Sequence, residues 1–449
     1  MDRRVKVEII TRETIKPSSP TPRNLRYKNL SLLDQLSFAM STPMLLFYPF
    51  RCDKNNNIVH VIKEQSQNLK TSLSKTLTLF YPLAGELKNN SFIECNDYGV
   101  EYIEAQVDCS MMELFQNPEN YLLENLFPID LNPVDKFTGA IIHVNFFNCG
   151  GLAIGVSLSH KIADAASLGT FLLAWASMAS LSMEILPETK CPHFVSNTVI
   201  PSAENSLILP SPPPSLTQTK CITKRFTLSS CKIDMLKAKA ATSTLQTPTR
   251  VEVVTALIWK CLISASQAKS KGKHKKSVLA QAVNLRRRLV PHLPQNYIGN
   301  LSGKFLVMAE KERAELKDLV AHLREGIEKV SDNVWKRVDE ILDFAKEFAE
   351  LHSREDLDLY SFTSLCGFPF YDVDFGWGKP IWTVVTNLVL KNYVVMLDMK
   401  DRKGVEVWMS LSEEDMPLFE ANGELLEFAS VNPSLGFDDM EVPPLESCL

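Results

Sequence analysis

His160 stands in the string Ser157-Leu158-Ser159-His160-Lys161-Ile162-Ala163-Asp164, between an apolar run and a long uncharged one. An imidazole titrates near neutral pH, so a histidine at a strand's carboxyl end can take a proton from a hydroxyl or an amine. The same residue also reads as a structural histidine with both ring nitrogens satisfied. Asp164, four positions on, either pairs with the imidazole or anchors the loop elsewhere. Spacing alone does not discriminate, because His352 and Asp356 repeat it in a charged segment that reads as a solvated helix end. Gly155-Val156-Ser157-Leu158-Ser159 is not the G-x-S-x-G elbow of a serine hydrolase. No His, Cys and carboxylate set has zinc spacing, so no metal is expected.

A second string, Tyr371-Asp372-Val373-Asp374-Phe375-Gly376-Trp377-Gly378-Lys379-Pro380, places two glycines around an indole. Such a pattern makes a tight turn with the tryptophan packed inside and Asp374 bonding nearby backbone donors. A structural turn is favoured here over a direct catalytic role.

The elements that must position these residues are mixed. Gly139 to Ser159 reads as a β-hairpin around Asn148-Cys149-Gly150-Gly151. Ala165 to Met183 has no charged side chain but carries five hydroxyl residues, which fits a buried globular helix better than a membrane span. Leu316, Leu319, Val320, Leu323, Ile327 and Val330 recur at helical spacing, Val251 to Leu262 reads as a helix, and Tyr393–Asp398 and Val405–Trp408 as strands. The proline-rich residues 192–220 divide the chain of 449. The fold class expected is therefore α/β: two domains of mixed sheets and helices joined by a long crossover loop. The lysine-rich stretch Lys269 to Lys276 reads as a solvated loop.

Composition narrows the function classes. The net charge of −5 offers no general attraction to nucleic acid or anionic membrane, and 45% apolar residues can build real cores. Ten cysteines with no C-x-x-C pair, several in apolar runs, fit a reducing compartment, and Met1-Asp2-Arg3-Arg4-Val5-Lys6 lacks an apolar signal core. A cytoplasmic enzyme is expected. Ser447-Cys448-Leu449 resembles a peroxisomal address without its basic middle residue.

Together, His160 to Asp164 and Asp374 to Gly378 resemble the two signatures of the plant BAHD acyl-CoA-dependent acyltransferases. Further strings agree along nearly the whole chain: Leu30 to Gln35, Tyr81-Pro82-Leu83-Ala84-Gly85, Cys95 to Val100, Gln281 to Arg286, and Gly299-Asn300. Ile15 to Pro22 and Phe370 to Asp374 are similar to the family's alkaloid-acetylating group.

The resemblance implies two chloramphenicol-acetyltransferase-like domains, 1–195 and 221–449, with a crossover at 196–220 and a solvent channel between them. A segment at about 360–385 is expected to pack on the first domain. It implies His160 as general base, Asp164 as a loop anchor paired with Arg286, and structural support from Asp374, Gly376, Trp377 and Gly378. Thr363 and Asn300 are the oxyanion or cofactor-binding candidates. Acetyl-CoA would be a co-substrate rather than a bound cofactor, the acceptor a small-molecule alkaloid, and the protein a monomer that binds neither nucleic acid nor membrane. A malonyl or aromatic donor, a terpenoid or phenolic acceptor, and a weakly active binding homologue are the alternatives. Many relatives carry Trp where this chain has Leu365, which cannot donate a hydrogen bond to an oxyanion.

Overall fold

A computed structural model of the chain describes residues 5–37, 43–50, 58–127, 139–180, 186–195, 199–202, 220–243, 246–269, 275–309, 314–330, 335, 337–386, 388 and 390–435. Most of the expected crossover and the C-terminal tripeptide lie outside them.

Two mixed sheets organise the described residues. The first runs in the order Val7–Ile15, Val100–Val107, Ala140–Phe147, Leu152–Leu158, Met44–Tyr48, Trp382–Val385. The hairpin legible around Gly150 forms its middle, with Ala140 opposite Leu158 and Phe146 opposite Leu152. Gly150 takes φ +82°, a left-handed conformation that glycine adopts without a Cβ penalty. Leu152–Leu158 is buried at every position, as expected of an inner strand covered on both faces.

Two helices cover one face of that sheet. Ile58–Leu79 packs against Ala165–Ser180, whose indole at Trp175 is fully buried and donates to the Leu69 carbonyl and the Ser72 hydroxyl. Ala165–Ser180 is buried nearly all round, which explains its uncharged sequence. Each fully buried Leu or Phe in such a core contributes about 1.5–3 kcal/mol over an exposed one.

The second sheet runs Ser302–Ala309, Lys276–Asn284, Leu357–Ser364, Tyr393–Asp398, Val405–Ser412, Cys221–Leu228, Ser430–Val431. Leu357–Ser364 is parallel to both neighbours and the other pairs are antiparallel. The helices Arg250–Lys269 and Leu316–Glu328 pack on one face, with Leu316, Leu319, Val320 and Leu323 in the core. Arg250–Lys269 is long and apolar enough to span a bilayer, but its apolar residues from Val253 to Ala265 fill this core.

The opposite face of the second sheet turns toward the first half. Val395, Leu397 and Trp408 join the first-half core, whereas their neighbours Val394, Met396 and Val407 join the second. At this junction Trp382, on the first sheet's edge strand, donates to Glu406 at 3.1 Å, and Arg225 pairs with the same carboxylate at 3.3 Å. The segment expected at about 360–385 on the first half crosses later than that. Through Ser364 the chain is an inner strand of the second sheet, held on both sides by backbone pairing, and beyond it Leu365, Phe370, Val373 and Phe375 enter the first core.

Candidate active site

His160 follows the strand Leu152–Leu158 directly. Ser159 ends the run with a turn, its carbonyl accepting from the backbone of Ile162 and Ala163, and the helix begins at Ala165. The imidazole is half-buried on a loop whose other members, Lys161 to Asp164, are buried.

Three distant parts of the chain hold this loop. Asp34 forms a capping box with Ser31 and accepts from both the backbone and the side chain of Asn300, at 2.8 and 2.9 Å. Asn300 also donates to the His160 carbonyl at 2.6 Å. The Lys161 ammonium, buried and lowered to about 8 by desolvation, donates to the Gln35 carbonyl. Thr170, one turn into the helix, donates to the Gln295 carbonyl. The strings around Leu30–Gln35 and Gly299-Asn300 therefore converge on the histidine.

Asp164 takes its hydrogen bonds from groups other than the imidazole. Its oxygens take two bonds from the wholly buried Arg286 guanidinium, two from Ser167 and one from the Leu301 backbone. Arg286 spends its remaining donors on the carbonyls of Tyr297 and Gly299 and on Asn284. Burial alone would push the Asp164 carboxyl up, but Arg286 and Ser167 outweigh it and hold it below its ordinary value. The carboxylate is saturated by donors other than His160, which excludes a hydrogen-bonded dyad.

Burial lowers the His160 pKa, only partly offset by the Asp164 charge and a hydrogen bond with Asn300, while Lys304 adds to the lowering. The ring is thus neutral near pH 7, the form in which one nitrogen accepts a proton.

Asn300 was an oxyanion or cofactor candidate, and the geometry corrects that reading. Its amide group is committed to Asp34 and to the His160 carbonyl, so it braces the loop. Thr363 lies at the end of an inner strand of the second sheet, half-buried, and its hydroxyl meets the Tyr393 phenol at 3.0 Å. Leu365 is buried among the first-half core residues. Asp374 accepts from the backbone of Gly376 and Gly378 at 2.8 and 2.9 Å, and those glycines take φ +105° and +113°. Trp377 stacks on Phe375, which packs edge-on to Trp175. That turn packs on the first core. His352, expected at a solvated helix end, is half-buried, with Nδ1 against the Phe348 carbonyl at 2.7 Å.

Beside the histidine loop lies a cavity of about 670 Å³, lined among others by Ala166, Thr170, Lys190, Arg287, Arg288 and Ser364. His160 is not on its wall; the cavity adjoins the helix that follows the loop. Its basic side chains were missed in the sequence, although Arg286-Arg287-Arg288 was a visible signal. Among the described residues no cluster could hold a metal ion.

Two mixed sheets face one another, with His160 on a braced loop at their junction, an arrangement that fits a two-domain acyltransferase. Residues 5–426 match the model of the transferase family, and the chain belongs to that family, the BAHD acyltransferases. It is 37% identical over 422 residues to vinorine synthase of Rauvolfia serpentina, covering 92% of this chain and 96% of that one. It is 36% identical over 427 residues to stemmadenine O-acetyltransferase of Catharanthus roseus, covering 93% and 96%. The crystal structure of vinorine synthase superposes with a TM-score of 0.81 over 95% of this chain and 99% of that one, at 37% identity. The F. graminearum TRI101 structure with coenzyme A and deoxynivalenol shares the fold, with a TM-score of 0.71 at 17% identity over 90% and 99%.

Proposed function

We propose that the protein transfers an acetyl group from acetyl-CoA to a hydroxyl group of an alkaloid. The observation that carries this reading is the neutral, half-buried His160 on a loop braced by Asn300, Asp164 and Arg286. The names of vinorine synthase and stemmadenine O-acetyltransferase support the alkaloid and the acetyl group. Lys190, Arg287 and Arg288 around the adjoining cavity suit a donor that carries phosphates.

In this mechanism a His160 ring nitrogen takes the hydroxyl proton as the oxygen attacks the thioester carbon. The carbonyl π electrons move onto oxygen and give a tetrahedral oxyanion. Its collapse re-forms the carbonyl and breaks the C–S bond, and the imidazolium returns its proton to the leaving thiolate. Asp164 holds the loop and takes no proton. The thioester is already activated, so direct transfer in a ternary complex is favoured over an acyl-enzyme. The protein acts as a monomer in the cytoplasm in this reading.

The test is incubation with acetyl-CoA and an alkaloid extract, reading mass gains of one acetyl group, followed by initial-rate kinetics. Intersecting lines support the ternary complex. Parallel lines, or protein that becomes acetylated by acetyl-CoA alone, would overturn the direct route.

A further inference from the structure

Lys304 is a cation inside the molecule that the mechanism above does not use. Backbone pairing fixes the direction it faces. It lies opposite Ala282, Ala280 lies opposite Ser361, and Ser361 lies opposite Tyr393. Positions two apart on a strand share a face, so Lys304, Ser361, Thr363, Tyr393 and Val395 share one. Val395 packs in the first-half core, which marks this as the face turned toward His160's half of the molecule. Phe305, the next residue, points the other way, into the second core, and lines the cavity with Arg287 and Arg288; Lys304 does not line it.

Its surroundings are a half-open apolar wall. The ammonium sits 4.2 Å from the Phe348 ring centroid, and the His352 ring packs edge-on against the same phenyl at 4.5 Å. Lys304, Phe348, His352 and His160 are each half-buried. The Lys304 charge reaches both imidazoles and lowers both. Among the described residues no carboxylate pairs with it: desolvation, the one influence on it, brings it to about 8. Roughly nine-tenths of it is still ammonium at pH 7. A half-buried cation with no counter-charge among the described residues is costly, and a bound anionic or carbonyl oxygen would supply one.

We propose that Lys304 recognises the acceptor, its ammonium group binding a carboxylate or ester carbonyl oxygen on the molecule whose hydroxyl reaches His160, with Phe348 packed along the same ligand. This rests on the reading of His160 as the base and narrows the acceptor class. A protonated amine would be repelled at this end, so an alkaloid's basic nitrogen must lie away from Lys304.

The test is calorimetric titration of the full chain, saturated with CoA, with indole-3-carboxylate and with 3-methylindole. Wild type should bind the acid about tenfold or more tightly than the apolar probe, the size of a charge-assisted bond. Lys304→Met should abolish that preference, Lys304→Arg should keep it, and CoA affinity should stay within about twofold, which also reports folding. Lys304→Gln serves if the Met variant does not fold. No preference in wild type, an equal preference in Lys304→Met, or a change confined to CoA affinity would each overturn the proposal. Transfer assays separate the two readings. Wild-type transfer without a carboxylate preference sinks only the role of Lys304, whereas a preference alongside undiminished transfer in His160→Ala sinks only the base.

Discussion

Asp164 and Arg286, 122 positions apart, are joined by two charge-assisted bonds of 2.7 and 3.0 Å, with the guanidinium fully buried. The pair ties the loop that carries His160 to a strand end in the other half of the chain. Both ends have further bonds, so the loop is held by a network and the imidazole is left free of the carboxylate.

Asp164→Ala should therefore act first on stability. Removing one partner of a buried ion pair leaves the other uncompensated, at a cost of about 3–5 kcal/mol. Asp164→Asn should cost less, because an amide oxygen still accepts from Arg286. Denaturant unfolding of both variants checks this. Activity lost at unchanged stability would instead point to a catalytic dyad.

His160→Ala should lower kcat by about 10²–10⁴ without unfolding the protein, the span a positioned general base supplies. The control is His60→Ala, since His60 is exposed and its ion-pair partner among the described residues is Glu64 on the helix surface. It should keep turnover within about twofold. His352 does not serve as the control, because its ring packs on Phe348 beside Lys304.

The pH profile follows from the environment of His160. The base works only when neutral, and burial, with a contribution from Lys304, lowers its pKa below 6.5. The acid limb of kcat/KM should thus have its midpoint below 6.5. Removing the neighbouring positive charge in Lys304→Met should move that midpoint up, and removing the negative one in Asp164→Asn should move it down. Shifts of the opposite sign would contradict the electrostatic picture.

The parts legible in the sequence were those with local signals. Alternation and Gly150-Gly151 marked the hairpin that leads to His160, and the uncharged run after Asp164 marked a buried helix. Gly376 and Gly378 marked a turn because their φ values favour glycine. The crossing into the first core, expected at about 360, falls at Leu365, since Leu357–Ser364 alternates like any strand and only pairing shows which sheet owns it. Asn300 was misread because its partners, Asp34 and the His160 carbonyl, are 266 and 140 positions away. Lys304 carried no signal: a lysine in a strand reads as a solvated face until the sheet's orientation is known.

The oxyanion role expected of Thr363, with no indole at position 365, is tested together with its neighbour Tyr393. Their hydroxyls lie 3.0 Å apart on the sheet face turned toward the first half, and burial raises the Tyr393 pKa, so the phenol stays protonated. If Tyr393 donates to Thr363, the threonine keeps its own proton for the oxyanion. Thr363→Val should then lower kcat by about 10²–10³, the cost of one oxyanion donor, with little change in the KM for acetyl-CoA. Tyr393→Phe removes only the orienting bond and should cost about tenfold or less. Thr363→Ser, which retains the hydroxyl, should recover most of the rate. Steady-state kinetics on the three variants settles the order: a larger loss in Tyr393→Phe than in Thr363→Val would assign the donor to the phenol instead.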